Sequence, residues 1–230
     1  MRRANELGVM VQGPVRVDMK RVNQRMRRIS AESTVGVTVG VTRWLEGMNG
    51  VDLYRGHATF DGPRTVSLKG ELLSADNIFI NVGTRSRVPE IPGLDDVEYL
   101  TNTSMMKQQT LPAHLLIVGA SYIGLEFAQI FPRFGGHVTV VERGSQAIAR
   151  DDEDVSATVR QVLEGEGVRF RFDVSSISLA QDDKGVAPQI ITDSGPSNIH
   201  ASHVQLAVGR VPNTDGLALE KAGIETDSRG

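Results

Sequence analysis

The chain has 230 residues, of which 40% are hydrophobic and 23% are charged, and its formal net charge is −3. These values are typical of a soluble globular protein with one large domain or two small ones. The charge balance does not favour a polyanionic partner, and no apolar run approaches the roughly 18 residues of a membrane-spanning helix. The chain contains no cysteine, which excludes disulfides, thiolate metal sites and thiol chemistry by this chain. We expect a cytoplasmic protein that binds neither nucleic acid nor membrane.

The N-terminal segment is basic, and two interpretations of it compete. A nucleic-acid-binding arm would explain the charge, but no aromatic interleaving or binding motif accompanies it. An amphipathic helix is favoured, because Asp18 can cap it and apolar residues recur at helical spacing at Met19, Val22, Met26 and Ile29. We therefore predict a helical arm over residues 18–48. Within it, the tandem Val-Gly-Val-Thr repeat at 35–42 is compatible with either helix or loop.

The hydrophobic period changes after residue 50 and predicts an antiparallel meander over residues 51–82. Turn signals separate short strand candidates at 51–60, 65–68 and 71–73. The apolar run at 77–82 predicts a buried strand that ends at Gly83-Thr84.

The motif around which the chain is organised starts at Leu115. An apolar run, 115–118, stops at Gly119, and a helix with an apolar face follows before a second strand at 137–141 that ends on Glu142. This order of strand, glycine turn, helix, strand and acid is typical of a dinucleotide-binding βαβ unit. Ser121 stands where the second glycine is expected, and its hydroxyl can donate to a phosphate. The alternative is a buried turn that binds nothing.

Within the helix of this unit, Pro132 removes a backbone hydrogen bond and should kink the helix or end it early. Beyond Glu142, acids at 151–154 predict a helix start, followed by a strand at 168–172. A second meander is predicted at 174–179, 190–192 and 199–202, and a buried strand at 204–209. The acidic run is not predicted to bind metal, because consecutive acids at a helix start point in different directions. No metal site is predicted elsewhere.

Three segments, 78–93, 119–126 and 207–214, resemble motifs of the FAD-dependent pyridine nucleotide-disulfide oxidoreductases. Within that family the sequence is similar to the group of dihydrolipoamide dehydrogenase, glutathione reductase and mercuric reductase. The resemblance implies an α/β fold with two Rossmann-like dinucleotide-binding domains, each a three-layer arrangement of parallel sheet and antiparallel meander. It further implies a partial FAD-binding domain at 1–110, an NAD(P)-binding domain at 111–210, and a return to the FAD domain at 211–230.

Family members also carry a glycine-rich FAD fingerprint, a redox-active cysteine pair and a dimerisation domain, and none of these is found here. The resemblance therefore implies an internal fragment that lacks both ends of a longer, homodimeric parent, or the product of a damaged gene. In either case we expect the chain to be inactive alone.

The resemblance also implies roles for single residues. The cofactor pyrophosphate would lie along Gly119, Ala120, Ser121, Tyr122, Ile123 and Gly124. Glu142 would bind the adenosine ribose and favour NAD, although Arg143 leaves NADP possible. Glu126 would be a catalytic carboxylate near the flavin, or alternatively only an acid near a helix N-terminus. FAD would contact His57, Ala58, Val82, Gly83 and Thr84, and Gly209 and Arg210 would lie where the chain returns between domains.

The implied function is a segment of a flavoprotein oxidoreductase that passes hydride from NAD(P)H to FAD, and electrons on to a disulfide or metal ion. Two alternatives remain at this point. One is a non-catalytic NAD(H)-binding module, and the other is a flavin reductase that passes electrons to a protein carrier.

Overall fold

The computed structural model describes residues 10, 13, 16–183, 185–192 and 195–228, and the side chains at 30–38 and 198 lie outside that description. Contacts divide the chain into two compact units. Unit 1 comprises the described residues up to Arg25 together with Ser86–Gly209. Unit 2 comprises Met26–Arg85 and the described residues from Arg210 onward. The division after Arg85 lies earlier than the predicted one after residue 110, and the C-terminal segment belongs with unit 2.

The α-helices are α1 (Met19–Glu46), α2 (Asn102–Met105), α3 (Tyr122–Phe134) and α4 (Glu153–Gly165), with short 3-10 helices at Leu94–Asp96 and Leu219–Ala222. The first strands are β1 (Ala58–Gly62), β2 (Thr65–Leu68), β3 (Glu71–Ser74), β4 (Thr84–Ser86) and β5 (Tyr99–Leu100). The central strands are β6 (His114–Val118), β7 (His137–Val141), β8 (Val168–Arg171), β9 (Val174–Ser178) and β10 (Gln181–Asp182). The last are β11 (Gly185–Val186), β12 (Gln189–Thr192), β13 (Gly195–Asn198), β14 (His203–Leu206) and β15 (Arg210–Pro212).

Unit 1 is built on a parallel sheet with the order β5-β14-β6-β7-β8. Leu115, Leu116 and Ile117 of β6 are completely buried, because both faces of the strand are covered. One face packs against α3 and α4, whereas the other packs against the antiparallel sheet β13-β12-β9. The predicted α/β class, with a parallel sheet and an antiparallel meander, is confirmed.

Helix α3 differs from the prediction at its C-terminal end. It continues two residues past Pro132 and ends at Phe134, where Gly135 adopts a left-handed conformation and donates to the carbonyls of Phe131 and Pro132. The predicted early end is therefore wrong. A proline this close to the C-terminus removes only one helical hydrogen bond, and the buried Phe127 and Phe131 hold the last turns against the sheet.

The second meander also differs in detail. The predicted strand at 199–202 is wrong, because the chain instead pairs Gly195–Asn198 with Gln189–Thr192. The return strand starts at Gly195, a residue type typical of turns, and so begins earlier than the apolar residues suggest. Likewise, the predicted strand at 204–209 ends at Leu206 in the structure.

Unit 2 contains the antiparallel sheet β1-β2-β3 and the strand pair β15-β4. Two predictions for this region are wrong. Residues 51–57 are exposed and are not strand, so the meander begins only at Ala58. Residues 77–82 are not a buried strand either, since Phe79 is 93% exposed and no described strand pairs with them. An apolar run becomes a buried strand only where a neighbouring strand supplies its hydrogen bonds.

Helix α1 resolves the ambiguity at 35–42, because its backbone is helical throughout Met19–Glu46. Its start is capped as predicted, since the Arg21 amide donates to the Asp18 carboxylate at 3.1 Å. The buried Asn23 donates from Nδ2 to the carbonyls of Met106, at 2.7 Å, and Gln108, at 3.3 Å. Within the described part of the chain, no helix is long and apolar enough to cross a membrane.

Candidate functional site

The parallel sheet of unit 1 contains a reversal of strand order between β14 and β6. From β6 the chain proceeds through α3 to β7 on one side, whereas β14 pairs with the other side of β6. The connections that leave the carboxyl ends of these two strands therefore diverge and open a crevice. Ligands of open α/β sheets bind at such a crevice. Gly119 follows β6, and Ala207 follows β14, so both lie at this edge of the sheet.

The turn after β6 requires glycine at two positions. Gly119 has a φ of +106°, and a Cβ added there would lie 2.4 Å from the carbonyl oxygen of Ala207. A Cβ on Gly124 would lie 2.3 Å from the carbonyl oxygen of Gly119. The first glycine therefore lets the turn pass close to the neighbouring strand, and the second lets α3 pack against the turn.

The N-terminus of α3 points its amides toward this crevice. Ser121 is the N-cap residue, in an extended conformation, and its side chain makes no capping hydrogen bond. The amides of Tyr122, Ile123 and Gly124 belong to the first turn of the helix, where no carbonyl of the preceding turn is available to accept from them. Such a helix start, with an exposed hydroxyl beside it, is suited to bind a phosphate group.

Glu142 closes the other side of the turn. Its Oε2 accepts a 2.7 Å hydrogen bond from the Ala120 amide, and its Oε1 accepts one of 3.1 Å from the Gly144 amide. The carboxylate thus bridges the turn after β6 and the turn after β7. The position of the acid was predicted from its spacing, but this backbone contact was not, because spacing alone does not give the direction of a side chain.

Two further residues of α3 carry polar groups near the crevice. The Tyr122 hydroxyl, on a side chain that is 57% exposed, donates to Asp151 Oδ2 at 2.6 Å. That hydrogen bond to a carboxylate raises the pKa of Tyr122. Glu126, predicted as a catalytic residue, lies one turn further along α3 and is exposed. The sequence offered no signal for the Tyr122–Asp151 pair, because the two residues lie in different elements.

Four of the five residues predicted to contact FAD form hydrogen bonds with one segment of unit 2, residues 210–216, and these are His57, Val82, Gly83 and Thr84. The His57 ring lies 2.9 Å from the carbonyl oxygen of Gly216, directly before β1, which begins at Ala58. Asn213 donates from Nδ2 to the Val82 carbonyl at 3.0 Å and from its amide to the Gly83 carbonyl at 3.1 Å. Arg210 donates through its guanidinium to the hydroxyl and carbonyl of Thr84. Gly209, with a φ of +110°, precedes this segment.

An ion pair that the sequence analysis missed fixes the same segment. Arg85 binds Asp215 through two hydrogen bonds of 3.0 Å each and donates to the Pro212 carbonyl at 3.1 Å. The hydrogen bonds from Arg85 lower the pKa of Asp215. The available signal was that Arg85 lies within the motif at 78–93 and that Asp215 directly follows the motif at 207–214.

These features define the chain as a dinucleotide-binding α/β protein: a parallel sheet, a glycine turn at its switch point, and a carboxylate after the adjacent strand. The family described as "Pyridine nucleotide-disulphide oxidoreductase" matches residues 9–230. The chain belongs to this family.

Curated relatives and solved structures agree with that assignment. The mercuric reductase of Streptomyces lividans is 37% identical over 186 residues, which are 79% of this chain and 39% of that protein. The dihydrolipoyl dehydrogenase of Thermus scotoductus is 33% identical over 197 residues, 84% of this chain and 42% of that protein. The HOCl-induced flavoprotein disulfide reductase RclA from Escherichia coli superposes with a TM-score of 0.71 at 29% identity, covering 93% of this chain and 50% of that one. The chain thus spans less than half the length of these curated relatives.

Proposed function

We propose that this chain handles the cofactors of a flavoprotein oxidoreductase, in which hydride passes from NAD(P)H to FAD and electrons pass on to a disulfide or metal-ion acceptor. The observation that carries the proposal is the Gly119 turn at the switch point of the parallel sheet. A side chain at Gly119 or Gly124 would collide with backbone atoms, so the turn is shaped for close approach. Membership of the family is a second, independent support.

In this proposal unit 1 binds the nicotinamide cofactor. The amides at the start of α3, together with the Ser121 hydroxyl, hold the pyrophosphate, and Glu142 accepts from the adenosine ribose. Because Glu142 accepts a hydrogen bond from the Ala120 amide, its carboxylate is already oriented before the ribose binds. A carboxylate here repels a 2′-phosphate and favours NAD, whereas the exposed Arg143 beside it keeps NADP as a weaker candidate.

Unit 2 contributes to the FAD site in this proposal. His57 and Ala58 lie beside the adenine, and Val82, Gly83 and Thr84 lie along the flavin-side phosphate region. Residues 210–216 hold these two groups through hydrogen bonds, as described above, and Gly209 and Arg210 connect the two units. A bound nicotinamide supplies hydride and a bound flavin accepts it. The chain's own residues bind and orient both cofactors, with Glu126 as the proposed carboxylate near the flavin.

The remaining parts of the proposal concern the whole protein. We infer a homodimer that works in the cytoplasm and binds small-molecule cofactors, neither nucleic acid nor membrane. The resemblance of the three motifs supports the dimer, and the near-neutral net charge of −3 supports the absence of a polyanionic partner.

Calorimetric titration of the chain with NADH tests the cofactor assignment. We expect weak binding that is lost in Gly119→Val, whose side chain collides with the Ala207 carbonyl.

Ser121→Asp is the variant that keeps the fold, because aspartate is a good N-cap and the position is exposed. Its charge repels the pyrophosphate, so it should also lose binding. Gly165→Ala is the control, since a Cβ at Gly165 meets no atom within 4 Å. Equal heats for the parent chain and Ser121→Asp would contradict the assignment.

A further inference from the structure

Unit 1 contains a solvent-open cavity of about 280 Å³ that the dinucleotide site does not use, and Arg169 and Arg171 in its lining are exposed. It lies on the face of the parallel sheet that carries the antiparallel sheet, at the β8 edge. His114 of β6, Thr139 of β7, and Arg169 and Arg171 of β8 line it from the parallel sheet. Ser197 of β13 and His200 line it from the other side.

The strand pattern explains why these side chains meet. On β8 the buried Val168 and Phe170 face the helices, so Arg169 and Arg171 both face the opposite side of the sheet. Thr139 is the direct partner of Arg169 across the β7–β8 ladder. The His114 ring lies 2.9 Å from the Thr139 hydroxyl, so the histidine is held against the same wall of the cavity.

The lining carries an excess of positive charge. Neither Arg169 nor Arg171 forms an ion pair with a carboxylate in the described part of the chain. The Arg171 guanidinium donates a 2.9 Å hydrogen bond to the carbonyl of Phe170. Asp182, which is not a lining residue, lies 3.1 Å from His200. Guanidinium groups left without a carboxylate partner are suited to bind an oxyanion, because each presents paired N–H donors.

The size and chemistry of the cavity limit what it can hold. Two arginines, two histidines and the hydroxyls of Thr139 and Ser197 offer donors from several directions. Drug-sized ligands occupy pockets of about 300–1,000 Å³, so this cavity suits a smaller molecule. Side chains two residues apart on a strand start about 7 Å apart, which lets both arginines reach one tetrahedral anion.

The cavity is separate from the glycine turn. His114 is the first residue of β6 and Gly119 follows the last, so a rise of about 3.3 Å per residue places them roughly 16 Å apart. The cavity also opens on the face of the sheet opposite the helices, whereas the cofactor amides belong to α3. We propose that this cavity is a binding site for a small phosphate-class oxyanion, held by Arg169 and Arg171 and completed by His114, Thr139, Ser197 and His200.

NMR titration of the chain with inorganic phosphate, in a buffer free of phosphate and sulfate, tests the proposal. Saturable shifts are expected at the guanidinium Nε–H signals of Arg169 and Arg171 and at the His114 ring. Arg169→Gln and Arg171→Gln should each weaken phosphate binding about fivefold to tenfold, because each removes a charge-assisted hydrogen bond. Arg87→Gln removes the same charge from an exposed position of unit 1 outside the cavity and should change binding less than about twofold.

A parallel titration with glycerol 3-phosphate identifies the source of the anion. Tighter binding than inorganic phosphate supports the phosphate group of a small metabolite, and equal or weaker binding supports the free ion. In the parent chain, shifts that do not saturate, or that occur away from the cavity, would overturn the proposal. This outcome does not depend on whether the two arginine variants fold. Displacement of phosphate by NADPH would also overturn it, because the anion would then share the cofactor site.

Discussion

At the scale of single residues, Glu142 has two roles that are separable by substitution. Its carboxylate accepts from the amides of Ala120 and Gly144, so it organises the turn before any cofactor binds. Its charge is the feature that we expect to discriminate against a 2′-phosphate. Glutamine has no charge and retains one acceptor oxygen, which can accept from the Ala120 amide but not also from the Gly144 amide. Arginine reverses the charge and cannot accept from either amide.

We predict that Glu142→Gln lowers the preference for NADH over NADPH, and that Glu142→Arg reverses it. Glu142→Arg should also be less stable than Glu142→Gln by about 1–3 kcal/mol, since it leaves the Ala120 amide unpaired in a partly buried turn. Cofactor titrations and urea unfolding of both variants measure the two effects. A parent chain that binds NADPH better than NADH would contradict the assignment of this position.

Gln205 is the second residue with a measurable consequence. It is completely buried in β14, between Leu100 of β5 and Ile117 of β6 along the two ladders, and neither its Oε1 nor its Nε2 finds a hydrogen-bond partner among the described residues. A buried polar group without a partner destabilises the folded state by about 1–3 kcal/mol.

Gln205→Leu should therefore raise the free energy of unfolding by about 1–2 kcal/mol, measured by urea denaturation. Thr139→Val is the matched control, because Thr139 is equally buried but its hydroxyl lies 2.9 Å from the His114 ring. That variant should lose stability. A loss of stability in Gln205→Leu would show that the amide has a partner, such as a buried water molecule.

At the scale of elements, the buried side chain of Asn23 attaches the start of helix α1 to unit 1. Asn23 is buried and its amide donates to two carbonyls that follow α2, those of Met106 and Gln108. Met19, one turn earlier, packs into the core of unit 1. The first turns of α1 are thus attached to unit 1 by the packing of Met19 and by the two hydrogen bonds of Asn23.

Asn23→Ala should lower the stability of unit 1 by about 1–3 kcal/mol, because two carbonyls lose their donor. Gln24→Ala, at the exposed neighbouring position, should change it by less than about 0.5 kcal/mol. Thermal unfolding followed by circular dichroism compares the two variants. Equal effects would indicate that the Asn23 hydrogen bonds do not stabilise the helix start.

Sequence patterns predicted the elements of unit 1 better than those of unit 2, for a physical reason. The run at 115–118 and the strand at 137–141 were correct, since both are buried by neighbours that the chain supplies. The run at 77–82 is also rich in apolar residues, but no described strand pairs with it, and Phe79 within it is exposed. The hydrophobic pattern of a segment shows which of its residues favour burial. It does not show whether a neighbouring strand or helix is available to cover them. The Glu142 contact with Ala120 was not predicted because spacing does not give the direction of a side chain. The Arg85–Asp215 pair was missed although both residues lie within or directly beside the recognised motifs, since a motif match does not show which of its residues pair.

At the scale of the whole molecule, two histidines make stability depend on pH. Burial lowers the pKa of His114 and that of His203 below the ordinary value of 6.5, so both favour the neutral form when folded. The unfolded chain then binds more protons in the window just below pH 6.5, and stability falls as the pH falls through it.

We predict that the urea midpoint of the chain decreases between pH 7 and pH 5, and that His114→Asn and His203→Asn each flatten this slope. Phosphate-free buffers are needed, because a bound anion would add its own stabilisation. Gln24→Ala, which replaces a non-titrating residue at an exposed position, is the control and should leave the slope unchanged. A slope that neither the His114 nor the His203 variant alters would assign the pH dependence to other groups.

The activity of the chain by itself is a further prediction at this scale. It contains no cysteine that could receive electrons as a thiol pair, and Phe79 in the region proposed to hold the flavin is 93% exposed. We expect no NADH-dependent reduction of a disulfide or of mercuric ion, even with added FAD, and poor retention of flavin. Purification, a visible spectrum and a turnover assay measure this. A yellow protein with stoichiometric flavin that turns over a disulfide would contradict it.

The chain order of the two units constrains how they fold. Unit 2 is formed from two stretches of sequence, and all of residues 86–209 lie between them. The ends of this insert are already joined within unit 1, where the Arg87 amide donates to the Gly209 carbonyl at 3.0 Å. Closing a disordered loop of that length opposes folding by about 4 kcal/mol, and a folded unit 1 removes most of this loop-closure entropy. Pairing of β4 with β15 should consequently follow the folding of unit 1, so a substitution that slows unit 1 delays both units.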